Sequence, residues 1–149
     1  MVLYCRPGHP LLDRGPLTRS DLDAFPQAMI RVPPRGANRV PGKGFQDAEL
    51  GDQVAHIEVD DLATARAIVL ESDAFSAAPA LQIEPWLRHG EFCVLPFRAN
   101  WLRLNYGFIT LRDRMLSPAA ELFIQLVRDI EAEVTVRNRE LTDEFLPPT

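Results

Sequence analysis

Long apolar runs are missing from this sequence, and so is any excess of positive charge. No segment approaches the run of about 18 apolar residues that a membrane-crossing helix needs, so no membrane partner is expected. Residues 1–6, MVLYCR, are too short and too soon interrupted to be a signal peptide, which makes the cytoplasm the default location. Cysteine is nearly absent. Cys5 and Cys93 each stand alone in an apolar, strand-like run. Without an export signal they read as reduced core thiols, and a disulfide stays open only if the two strands are neighbours. The histidines, His9, His56 and His89, lie far apart with no helical pairing to each other or to a cysteine, which argues against a metal site. No serine sits between glycines as in a nucleophile elbow. Gly42-Lys43-Gly44 lacks the glycine spacing and the hydroxyl after the lysine that a phosphate loop requires. No cofactor is expected. A net charge of −5 argues against a chain that grips nucleic acid directly.

The 149 residues suffice for one ordinary domain or two small lobes, and 46% hydrophobic with 25% charged side chains is the balance of a soluble globular chain. The organising stretch is 57–79, IEVDDLATARAIVLESDAFSAAP, which reads as strand, helix and strand with almost nothing left for loops. Residues 56–59 alternate polar and apolar, the period of a strand with one covered face. From Leu62 the residues Leu62, Ala65, Ile68 and Val69 repeat at helical spacing. Ala63, Ala67 and Leu70 make the rest of that helix small and apolar, so it is expected to be largely buried. Residues 74–78 form the next strand, ended by Pro79. Two strands joined by one helix of this length lie parallel as a rule, which gives an α/β domain with its ligand-facing loops at the strand C-termini.

Around this unit the remaining elements follow in order. Residues 2–5 are a short apolar strand, able to start a domain as an edge but needing partners on both sides if central, and 6–11 a turn rich in proline and glycine in which His9 reads as a turn residue. Thr18 caps a short helix with Asp21 placed for a capping box, and Pro26 ends it. Residues 27–32 form a strand broken by Pro33-Pro34, and a helix is expected over 45–50. Residues 80–88 predict a helix broken at Pro85 and stopped by Gly90. Strands are expected at 91–96 and 104–112, with a loop carrying Trp101 between them. Ser117-Pro118 opens the best helix, with Phe123, Leu126, Val127, Ile130 and Val134 on one face. From Arg137 the apolar spacing decays toward a frayed tail at 146–149.

Two features invite a chemical reading. Asp60-Asp61 could be paired acids, with His56 nearby in sequence, but a strand-to-helix junction favours an N-cap and its neighbour, so an enzyme is not expected. Arg31, Arg35, Arg39 and Lys43 fall within thirteen residues free of acid, a basic loop in an acidic protein.

The order of pieces resembles one family. A strand leading into Gly8-His9-Pro10-Leu11 comes first, then 17–23 before Phe25-Pro26, then Val59-Asp60-Asp61 with an apolar helix and Phe75 to Pro79. Gly90 to Pro96, Tyr106-Gly107-Phe108 and Leu116-Ser117-Pro118-Ala119-Ala120 with Phe123-Ile124 complete the series. Together they look like the effector-binding domain of LysR-type transcriptional regulators, over about residues 3–130. One departure is Ser72-Asp73-Ala74-Phe75, where the family usually has a glycine-rich pattern.

That resemblance implies an α/β, periplasmic-binding-protein-like (type 2) fold of two subdomains joined by two crossover strands, with a small-molecule cleft between them. Residues 1–16 would be the first crossover and its HPL turn, and 17–90 the complete second subdomain. Residues 91–134 would be the return crossover with the last strand and helix of the first subdomain, and 135–149 a C-terminal tail. The expectation is a truncated regulator, with the helix-turn-helix and the opening of the first subdomain outside this chain. A stand-alone ligand-binding α/β protein with no link to DNA is the alternative.

In such a fold the cleft is lined by loops at strand C-termini and by helix N-termini, whose N–H groups favour anions. This selects Arg31, Val32, Pro33 and Arg35 after one strand and Asp60, Asp61 and Leu62 after the next. The expected ligand is a small organic effector, with an anion as the favoured class and Arg31 or Arg35 as its charge partner. The carboxylate of Asp60 would compete for the helix end. The helix face from Phe123 to Ile130, short of its cover, is expected to be exposed or buried by self-association.

Overall fold

Both faces of the opening strand are covered, and that explains a strand with no polar side. The computed structural model describes residues 1–30, 57–98 and 107–146. Val2–Cys5 forms β1, buried at all four positions. Val2 and Tyr4 point to one face of the sheet, among Val69, Ile83, Leu87, Phe92 and Leu141. Leu3 and Cys5 point to the other, among Leu11, Leu17, Leu22, Phe75 and Leu95. The two-residue period of a strand thus feeds two cores at once.

The other strands are β2 (Gln27–Ile30), β3 (Ile57–Val59), β4 (Phe75–Ala78) and β5 (Cys93–Val94). Among the described residues they form one five-stranded sheet in the order β3-β2-β4-β1-β5. β2 runs parallel to both β3 and β4, so β3 and β4 are parallel with β2 inserted between them. β1 is antiparallel to β4 and to β5. The partners that β1 needs come from far downstream, which places it in the interior of the sheet.

Local capping explains the short elements. His9 opens a 3-10 helix, Pro10–Asp13, its Nδ1 accepting the Leu11 N–H at 3.0 Å. With Nδ1 as acceptor, Nε2 carries the proton and donates to the Asp73 carbonyl at 3.0 Å, tying this turn to the start of β4. His9 is therefore a fully buried structural residue. Helix α1, Arg19–Asp23, has the expected capping box: Asp21 N–H donates to Thr18 Oγ1 and Thr18 N–H to Asp21 Oδ2.

Helix α2, Leu62–Glu71, departs from the sequence expectation. It lies against β2, β3 and β4, but only Ala65 and Val69 are buried, while Ala63, Ala67 and Leu70 are exposed. Only one face of this helix meets the sheet, and the small methyl groups of Ala63 and Ala67 on the outer side contribute little to driving their burial. Helix α3, Ala80–Arg88, runs unbroken through Pro85. Ile83 and Leu87, either side of that proline and on one helix face, are seated in the core, and this tertiary packing outweighs the backbone hydrogen bond that Pro85 cannot make.

Three further expectations change on the C-terminal side. The strand expected at 91–96 is only β5, although Leu95 N–H still donates to Leu3 O at 2.9 Å. Of the strand expected at 104–112, residues 104–106 lie outside the described residues and 107–112 form no strand; they are exposed and lead into a turn in which Asp113 has φ 61°. Alternation makes a strand only beside a partner edge. Helix α4 opens on Ser117 and Pro118 as expected, with Ser117 Oγ accepting from the Ala120 N–H. It does not decay at Arg137 but continues to Phe145, 28 residues in all. Leu141 and Leu146 are buried in the core beside α3, so this stretch of the expected tail is packed structure. The helix expected at 45–50, the basic loop and Trp101 lie outside the described residues.

Candidate functional site

Parallel strands release their chains at the same edge. β2 and β3 are in register with Ile30 beside Val59, so the two strands end side by side, and Asp60 follows β3 there. Asp60 is exposed. Asp61 is the N-cap of α2: Thr64 N–H donates to its Oδ1 at 2.8 Å and the Thr64 hydroxyl to its Oδ2 at 2.7 Å. Those bonds, the backbone one foremost, hold the Asp61 carboxyl below the usual carboxylate range. Leu62 is half-buried and packs against the core under α2. The acid that occupies the helix end is thus Asp61 and not Asp60, and the free N–H groups there are already turned toward a carboxylate of the chain itself. Arg31, Val32, Pro33 and Arg35 lie outside the described residues.

Behind this edge, α2 is tied to α3 by Arg66, whose guanidinium stacks 3.8 Å from the centroid of the Trp86 ring. At its other end, Arg6 of the first turn donates from Nε to the Ser72 carbonyl at 3.2 Å and pairs with Asp73. The β3-α2-β4 unit is thus tied to α3 at the middle of α2 and to the first turn where α2 gives way to β4.

Two arrangements depend on long-range contacts. Glu84 of α3 stands between Arg88 and Arg137, each at 2.8 Å, and Arg88 also pairs with both oxygens of Glu144 in α4. Cys5 and Cys93 are directly opposite each other across β1 and β5, both as thiols. Among the described residues no group of three or more His, Cys, Asp or Glu is placed to hold a metal ion. No helix among them is long and apolar enough to cross a membrane.

Comparison with known proteins now bears on this frame. The family described as LysR substrate binding domain matches residues 1–131. A curated relative, the "SDS degradation transcriptional activation protein" of Pseudomonas sp. (strain ATCC 19151), is 38% identical over 135 residues, covering 88% of this chain and 42% of that protein. The chain thus spans less than half the length of that relative. No solved structure matches it. With the family pattern running from β1 into the middle of α4, the chain belongs to the LysR substrate-binding domain family.

Proposed function

We propose that this chain senses a small organic effector on behalf of a LysR-type transcriptional regulator, working in the cytoplasm, and that it does so at the edge where β2 and β3 end. The observation that carries the reading is the family match over residues 1–131 on a chain whose parallel strands β2 and β3 end side by side, Ile30 beside Val59. Arg31 and Arg35 supply positive charge to that edge, with Val32 and Pro33 as apolar wall and Asp60 to Leu62 as the facing side. The Asp61 cap lessens what the α2 N-terminus can offer an anion, so the arginines carry the charge recognition.

The favoured effector class is an organic anion with an apolar portion. The Pseudomonas relative is named for SDS degradation, and dodecyl sulfate is such an anion, which makes short alkyl sulfates a reasonable first set beside small carboxylates.

In this reading the antiparallel pair β1 and β5 are the two crossovers between lobes, and residues 17–90 are one complete lobe of a periplasmic-binding-protein-like domain. The first half of α4 belongs to the other lobe. Effector binding shifts the relation of the lobes, and that equilibrium is read by DNA-contacting parts outside the present residues. The chain itself, at a net charge of −5, makes no direct contact with DNA. The exposed side of α4 at Phe123, Leu126 and Ile130 pairs with a second copy when nothing else covers it.

Calorimetric titration with small carboxylates and short alkyl sulfates below their micelle concentrations tests the proposal. Heat of binding and a raised melting temperature are expected, both weakened by Arg35→Ala. No heat and no shift across the whole panel would contradict it.

A further inference from the structure

The sequence contains two cysteines, and the fold sets them against each other. β1 and β5 are antiparallel with Cys5 in register with Cys93. Leu95 N–H donates to Leu3 O, so Leu3 and Leu95 form a hydrogen-bonded pair and, two residues along, so do Cys5 and Cys93. Directly opposed residues of that kind have Cα atoms roughly 5.5 Å apart, within the separation that disulfides favour. Both side chains point to the same face, into the cluster of Leu3, Leu11 and Leu95, and Cys5 Sγ lies 3.8 Å from the Cys93 carbonyl oxygen. The Cβ atoms of a hydrogen-bonded pair lie toward the far end of the roughly 4.5–5.5 Å range of opposed residues, so closing the bond draws these two strands slightly together and leaves it strained and readily reduced.

We propose that Cys5 and Cys93 are a built-in thiol pair that closes reversibly to a cross-strand disulfide by exchange with a small disulfide such as oxidised glutathione. Cys93 is the point of entry, since it is half-buried while Cys5 is wholly enclosed. The Cys93 thiolate, its proton released to solvent, attacks one sulfur of the reagent; a mixed disulfide forms and one glutathione thiolate leaves. The Cys5 thiolate then attacks the Cys93 sulfur and expels the second glutathione. Two protein thiols are oxidised by two electrons, one glutathione disulfide is reduced to two glutathione thiols, and no other reagent takes part.

The resting chemistry of the pair fits a slow switch. Burial first, and then the neighbouring Cys93, push the Cys5 thiol up to about 12, and burial raises Cys93 as well. Few thiolates are present at neutral pH, so the pair resists casual oxidation, while contact across the strands makes closure favourable once Cys93 is engaged. Because β1 lies inside the sheet and β5 borders it, the bond would staple these two strands. Under the two-lobe reading those are the crossovers, but formation of the bond does not depend on that reading or on any effector.

The test incubates the folded chain with oxidised glutathione and follows intact mass and thiol content between pH 7 and 9. Wild-type protein is expected to lose two hydrogens and both thiols, with the Cys5–Cys93 link recovered by peptide mapping, reversed by dithiothreitol and accompanied by a raised melting temperature. Closure should accelerate by roughly tenfold per pH unit, as thiolate availability requires. Cys5→Ala should stop at one glutathionyl adduct on Cys93, and Cys93→Ala should take none while folded. A wild-type protein that remains as the stable adduct, that links only to a second molecule, or that does not react while its melting curve stays native would overturn the proposal. So would Cys93→Ala protein modified at Cys5 as fast as wild type.

Discussion

The two halves of α4 share one helix and nearly one apolar stripe, yet they live in different surroundings. Toward the C-terminus, Leu141 and Phe145 meet α3, Asn138 Oδ1 accepts the Leu81 N–H at 3.1 Å, and Leu146 closes the contact. Toward the N-terminus, Leu122, Phe123, Leu126 and Ile130 are between 52% and 61% exposed. A helix of 28 residues, roughly 42 Å long, thus has one half docked in the core and the other half projecting its apolar side to solvent. The family match ends at residue 131, close to where the exposed half gives way to the docked one. Apolar patterning marks a surface that can be covered; which part is covered depends on what the rest of the fold brings to it.

Substitutions can break that contrast. Leu141→Ala removes a wholly enclosed side chain and should destabilise the chain by about 2–5 kcal/mol in urea unfolding. Asn138→Ala leaves the first turn of α3 without its cross-helix acceptor, since Pro79 gives no side-chain cap there, and should cost about 1–3 kcal/mol by the same measurement. Ile130→Ser, on the projecting half, should change the unfolding free energy of the dilute chain by under about 0.5 kcal/mol. It should, however, abolish concentration-dependent association in sedimentation velocity. If Ile130→Ser unfolds the dilute chain as readily as Leu141→Ala, the two halves do not differ as described.

The smallest effect sharpens the contrast with the sheet edge. Asp61 has a folded-state pKa below its ordinary value, so the stability it adds is present at neutral pH and is lost as pH falls through the carboxylate range. Asp61→Ala should lower the melting temperature slightly at pH 7, and its difference from wild type should shrink as pH falls through the carboxylate range. Asp61→Asn, which keeps a capping oxygen, should lie between them.

Features written within four residues of one another were legible in the sequence. Thr18 with Asp21 and Ser117 with Pro118 each announce a helix end through local contacts, and the pair Asp60-Asp61 announces the start of α2 without saying which acid caps it. The stretch 57–79 read correctly as strand, helix and strand for the same reason. Long-range facts were not legible. Nothing near Asn138 says that its amide meets Leu81, so a polar residue in the stripe read as the helix losing its pattern. Pro85 read as a break because the packing of Ile83 and Leu87 is invisible locally, and 104–112 read as a strand because alternation was present, although 107–112 pair with no strand among the described residues. At the candidate site, Asp60 to Leu62 came out beside the end of β2, as parallel pairing requires, and the identity of the cap narrowed to Asp61.

The central claim, effector recognition at the β2–β3 edge, is tested most directly by amide chemical-shift mapping while a short alkyl sulfate or a small carboxylate is titrated in. The account predicts saturable shifts confined to residues 31–35 and 60–62. Shifts that instead follow the apolar side of α4, or that spread without saturating, would contradict it.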